Sequence, residues 1–150
     1  MKGIARADVG LFILRLGLGL TMLFFGSQKV FGLFGGYGYS ATVSVFHDKM
    51  GIPIVLAHIG ILGEFLGGGG VLLGFLTPLA SFGVMCTMAV ATFISIRGPG
   101  VLAGIFEGAK GADPSKLFFS GFLCIAALSL MLLGPGKISL DAKFFRKSKR

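Results

Sequence analysis

Residues 52–96 read IPIVLAHIGILGEFLGGGGVLLGFLTPLASFGVMCTMAVATFISI. The run is about twice what one helix needs to cross a hydrocarbon core, roughly 20 residues at 1.5 Å each, so the chain must turn back once inside it. Thr77-Pro78 marks the place, with Thr as an N-cap and Pro at a first helical position that needs no N–H. Spans near 53–76 and 78–97 follow. Upstream, a span over 9–34 has Asp8 as its expected N-cap and Gly35-Gly36 as its end. Downstream, Asp113-Pro114-Ser115 opens a fourth span over 115–133, which Gly134-Pro135-Gly136 closes. The expected fold class is therefore all-α, an integral membrane four-helix bundle.

Composition excludes the main rivals. The chain has 150 residues, of which 54% are hydrophobic and 13% charged, against about 25% charged in a soluble domain. Mean hydropathy is +0.90. The 26 glycines have no three-residue period, which excludes collagen, and the 16 phenylalanines exclude disorder. Two cysteines with no C-x-x-C and no zinc spacing suggest neither a disulfide framework nor a metal site. The net charge of +8 falls largely in the tail 137–150, at Lys137, Lys143, Arg146, Lys147, Lys149 and Arg150. A topology signal explains that tail more economically than a nucleic-acid site does.

An even number of spans puts both termini on one side. Lys2, Arg6 and the basic tail lie there, while Lys29, Lys49, Arg97, Lys110 and Lys116 face them, partly offset by Asp48, Glu107 and Asp113. The positive-inside rule then makes the N- and C-termini cytoplasmic. Arg15 interrupts the first apolar run and no A-x-A site follows, so residues 1–29 read as a retained helix rather than a signal peptide. Residues 40–50 suggest a short extracytoplasmic interfacial helix capped by Ser40 and ended by Gly51 and Pro53, with Val43, Phe46 and Met50 on one side.

Ionisable residues inside spans cost about 2.5–3.5 kcal/mol each on insertion scales, so each calls for a reason. Span 1 carries Arg15, Gln28 and Lys29, and span 2 carries His58 and Glu64. At 100° per residue Arg15 and Lys29 lie about 40° apart, with Gly19, Met22 and Gly26 between them. Glu64 shares its face with Ala57, Gly60, Gly67, Gly68 and Val71. Such small-residue faces pack closely in lipid. Spans 1 and 2 are thus expected to face each other, with Glu64 turned inward and within reach of either Arg15 or Lys29. The pair would then be a lock between helices, a mid-membrane site with Glu64 as its proton-handling group, or both. His58 lies about 120° from Glu64 and reads as interfacial, with binding as the minority role. His47 reads as solvated. Cys86 and Cys124 fall at similar depths and read as apolar filler. Gly67 to Gly70 lacks the Lys-Ser/Thr of a phosphate loop and reads as a packing surface.

The chain resembles the DoxX family of small four-helix membrane proteins. The stretches that carry this are Leu14 to Gly19, Gln28 to Gly32, Gly35 to Gly38, Gly51-Ile52-Pro53, Glu64 to Gly68, Gly74 to Pro78 and Gly134 to Asp141. It departs from the family pattern at Phe25, where a histidine often stands in His-Gly-x-Gln-Lys, and at Pro78, where arginine is usual. The resemblance implies a bacterial cytoplasmic (inner) membrane and a link to redox chemistry, as a subunit of quinone-linked oxidoreduction or a partner in thiol and oxidative-stress complexes. It does not establish catalysis. A quinone is the one cofactor it suggests, and in this chain Phe-rich helices would hold its ring while Lys29, Gln28 or Glu64 would hydrogen-bond a carbonyl. With no haem-ligand, flavin or iron–sulfur pattern, electrons would come from a redox partner protein or from the substrate. A second reading is a non-enzymatic scaffold whose glycine faces and basic tail bind other membrane proteins and anionic lipid. A third is a small transporter of an organic anion attracted to Arg15 and Lys29, for which four spans would need to form a homo-oligomer.

Overall fold

The computed structural model describes residues 5–97 and 114–144. Four of its helices are long and apolar enough to cross a membrane. These are α1 (Arg6–Phe31), α3 (Ile54–Leu73), α4 (Thr77–Arg97) and α5 (Ser115–Leu133). A short helix α2 (Tyr39–Ser44) runs on into a π-helical turn over Val45–Lys49, and α6 (Leu140–Phe144) ends the described chain. No strand occurs among the described residues. The outward faces are apolar, with Ile13, Leu66, Leu79 and Phe122 all more than half exposed, which is what lipid contact requires.

Helix boundaries follow local chemistry, and some differ from the expected ones. α1 starts at Arg6 rather than near Val9, because Asp8 is not the N-cap. It sits one turn inside and reaches back to accept the Ala5 N–H at 2.8 Å, the acidic half of a capping box. α1 ends at Gly32 (φ 70°), short of Gly35-Gly36. α3 ends at Leu73 because Gly74 (φ 66°) starts a Schellman turn, in which the Phe75 N–H reaches Gly70 O and the Gly74 N–H reaches Val71 O. Thr77 does not cap α4 with its side chain, since its hydroxyl is buried without a partner. Asp141 takes that role from far along the chain, accepting the N–H groups of Leu76 at 2.7 Å and Thr77 at 2.8 Å. Leu76 has a left-handed backbone (φ 47°), and these two bonds hold it there. α2 is preceded by Gly38, not capped by Ser40. Asp113 and Gly98-Pro99-Gly100 lie outside the described residues, as do Lys2, Glu107, Lys110 and residues 145–150.

Helices α1 and α3 pack face to face, as their small-residue stripes imply. A Cβ built on Gly19 would lie 2.7 Å from Leu72 Cβ, one on Gly26 2.8 Å from Phe65 Cα, and one on Gly68 2.7 Å from Met22 Cβ. On the other side of α3, Gly67 and Gly70 make the same close approach to Val84 and Ala80 of α4. The glycine run is therefore a two-sided packing surface. Leu18, Met22, Val71, Val84, Met88 and Leu130 form the centre of the bundle.

Candidate functional site

Along α3 the buried residues Ala57, Ile61, Glu64, Gly68 and Val71 recur every three or four positions, so Glu64 lies on the stripe turned into the bundle. Along α1 the matching stripe is Arg15, Leu18, Met22 and Gly26, and Lys29 continues it in the last turn. These two stripes bring Lys29 and Glu64 together, with Nζ donating to Oε2 in an ion pair. The Glu64 side chain is 7% exposed and that of Lys29 is 26%. Phe46, from the π-helical turn, places its ring centroid 6.0 Å from the Lys29 ammonium, a cation–π contact.

The pair borders a cavity of about 420 Å³ between α3, α4 and the segment around Phe46, Met50 and Ile52. Its walls are mainly apolar, with Leu56, Ile59, Val90 and Ile94 among them. Thr87 and Ser95 also line it, and their hydroxyls donate to backbone carbonyls within α4. Glu64, which lines the cavity, accepts its one described hydrogen bond at Oε2, so that Oε1 has no described partner. The chamber thus offers a cationic donor and an anionic acceptor at one end of an apolar volume. This volume lies in the usual range of small-molecule pockets, about 300–1,000 Å³.

The other residues singled out from the sequence go elsewhere. Arg15, 1% exposed, does not pair with Glu64. Its Nη2 donates to the Ile138 carbonyl, and its guanidinium lies against Gly74. Gln28 acts through its backbone, whose carbonyl accepts the Gly38 N–H at 3.3 Å. His58 stacks on Tyr39, and the Tyr39 hydroxyl lies 2.6 Å from its Nδ1. The His47 ring lies 3.1 Å from the Ile52 carbonyl. Cys86 lines the chamber, while the Cys124 thiol donates to the Met85 carbonyl, and both are free. Phe25 meets Phe119 edge to face at 5.5 Å, in the contact between α1 and α5.

Two features escaped the sequence reading. Phe46 had a visible signal, since it lies on the apolar side of the 40–50 segment, but nothing in the pattern aimed it at Lys29. The second is a strap formed by residues 134–141. The Lys137 N–H donates to Asp8 Oδ1 at 2.9 Å, the Asp141 N–H to Gly74 O at 2.8 Å, and Lys137 Nζ lies 3.5 Å from Asp8. Residues read as the start of a basic tail therefore seal one end of the bundle. Among the described residues no group of three His, Cys, Asp or Glu is placed to hold a metal.

The DoxX family profile matches residues 10–97, which run from Gly10 in α1 to the end of α4 and include Lys29, His58 and Glu64. The strap lies beyond that match. No curated protein and no solved structure matches the chain.

Proposed function

The chain belongs to the DoxX family, and on that premise we propose that it is a redox-linked membrane subunit that takes a quinone, or a lipophile with a quinone-like head, into the chamber beside Lys29 and Glu64. The observation that supports this is the pairing of a mainly apolar cavity of about 420 Å³ with a buried lining carboxylate whose Oε1 has no described hydrogen-bond partner. Lys29 would donate a hydrogen bond to a carbonyl of the head, and Glu64 Oε1 would accept one from a hydroxyl. A carboxylate so placed can also give or take a proton when the head changes redox state. Electrons come from a partner protein in this reading, and the membrane is the bacterial cytoplasmic one with both termini inside. The basic residues Arg6, Lys137 and Lys143 on the terminal side support that orientation.

The scaffold reading relied on the basic tail and on glycine faces open to partners. Gly19, Gly26, Gly67, Gly68 and Gly70 make close approaches inside the chain, which leaves fewer of them for docking. The transporter reading drew on Arg15 and Lys29 as joint anion attractors, and these two residues serve different ends of α1.

The test is mass spectrometry of the protein in native-lipid discs, wild type against Glu64→Gln. A stoichiometric quinone in the wild type and its loss in the variant is the expected result. Folded protein carrying no small molecule in either form overturns the reading and favours the scaffold.

A further inference from the structure

The helical segment from Tyr39 to Lys49 borders the chamber. Phe46, from its π-helical turn, lines the cavity, as do Met50 and Ile52 just beyond it. Tyr39, Thr42 and Phe46 recur every three or four residues, so one side of the segment carries all three. That side is turned inward: Thr42 is 5% exposed, Phe46 lies against Lys29, and Tyr39 meets His58 of α3. The Tyr39 and His58 rings stack with centroids 5.4 Å apart and planes 24° apart, and the hydroxyl lies 2.6 Å from Nδ1. Among the described side-chain hydrogen bonds, this is the one that ties the segment to a membrane span. The others stay local, since Thr42 donates to Gly38 O and the His47 ring lies against Ile52 O. Glycines with left-handed backbone bracket the segment, Gly38 (φ 76°) and Gly51 (φ 68°), and a Cβ on Gly51 would meet nothing within 4 Å.

We infer that Tyr39 and His58 form a latch that holds this segment against the chamber and so regulates how a ligand reaches Lys29 and Glu64. This rests on the chamber reading above. Neither residue lines the cavity, so the pair acts through Phe46 rather than by touching an occupant, and both are positioning residues. Tyr39 opens the helix directly after Gly38. Glycine accepts other backbone angles at little cost, so an anchor on the next residue is what fixes the direction of the helix. Phe46 follows seven residues on, about 10 Å along the segment. Held there, its ring lies over the Lys29 ammonium and keeps water from it, which strengthens any hydrogen bond that Lys29 gives to a polar head. Phe46, Met50 and Ile52 belong to one stretch of chain, so its release would open one wall of the cavity as a unit.

The two free cysteines supply a probe and its reference in one chain, because Cys86 lines the chamber while the Cys124 thiol donates to Met85 O. The experiment follows alkylation of both by N-ethylmaleimide in lipid nanodiscs, read by peptide mass spectrometry, with thermal unfolding alongside. Tyr39→Phe removes only the hydroxyl and should speed Cys86 alkylation about fivefold, the worth of one ordinary hydrogen bond, with Cys124 and the unfolding temperature unchanged. His58→Asn puts an amide oxygen near the place of Nδ1 and should keep the wild-type rate. A dimethoxy-methylbenzoquinone bearing a decyl chain should slow Cys86 alkylation in the wild type and dissociate about fivefold faster from Tyr39→Phe. An unchanged Cys86 rate in Tyr39→Phe overturns the inference. So does an equal rise at both cysteines, which would make the pair a general anchor of the fold. If the quinone slows Cys86 alkylation in neither form, the chamber reading fails, while the latch still stands or falls on the Cys86 rate.

Discussion

The two ends of the α1–α3 pair treat buried charge in opposite ways. At the terminal end the charged side chains bond backbone: Arg15 donates to the Ile138 carbonyl while its buried Nε has no described partner, Asp8 accepts from Ala5 and Lys137, and Asp141 accepts from Leu76 and Thr77. A strap covers them. At the other end Lys29 and Glu64 hold each other by a single bond and border an open chamber. Ion pairs away from water are poor stabilisers, because desolvation offsets much of the attraction. Charges that bond backbone have a different role, since they satisfy groups that would otherwise be stranded in an apolar medium. The difference separates a structural use of intramembrane charge from one available to a ligand.

Breaking the structural end should have the largest effect. Gly74→Val adds a β-branched side chain where φ is 66° and where even a Cβ would collide with the Arg15 guanidinium and Ser139. Left-handed strain and overpacking each cost about 1–3 kcal/mol, so a loss of about 3 kcal/mol is expected in denaturant unfolding in mixed micelles. A loss under about 1 kcal/mol would show that the strap is not docked in solution. Arg15→Met comes next. It keeps the packing volume but strands the Ile138 carbonyl, at a cost of about 1.5–3 kcal/mol for a charged hydrogen bond. The same variant should bind quinone as the wild type does, and loss of binding in a folded protein would join the two ends functionally. The smallest stability effect belongs to Glu64→Gln, at less than about 1 kcal/mol, because Lys29 lies in the last turn of α1 and its long stem lets the ammonium move to the interface. A much larger loss in the same unfolding assay would put Lys29–Glu64 on the structural side and erase the contrast.

How much of this was legible depended on sequence distance. The spans, the inward turn of Glu64 and the face shared by Arg15 and Lys29 are periodic features of single helices, and periodicity is written locally. Glycines at matching spacing also announced the contact between α1 and α3. Helix ends were harder. Gly32 and Gly74 end α1 and α3 by adopting left-handed backbone, and in a chain with 26 glycines those that do so do not stand out. Thr77 looked like a cap because its residue type and the following proline fit, yet an aspartate more than sixty residues away holds the N–H groups at that helix start.

The sequence by itself determined the solvent, the number of spans and which faces turn inward, because hydrophobic length and helical period follow from residue order alone. Tertiary structure decided the rest. Lys29, not Arg15, meets Glu64, because the helix register sets their relative heights and the strap at 134–141 engages the Arg15 guanidinium first. It also decided that Phe46 roofs the charged pair. Partners chosen across such distances depend on where whole helices come to rest, and helix docking is fixed by packing that no single stretch of chain contains.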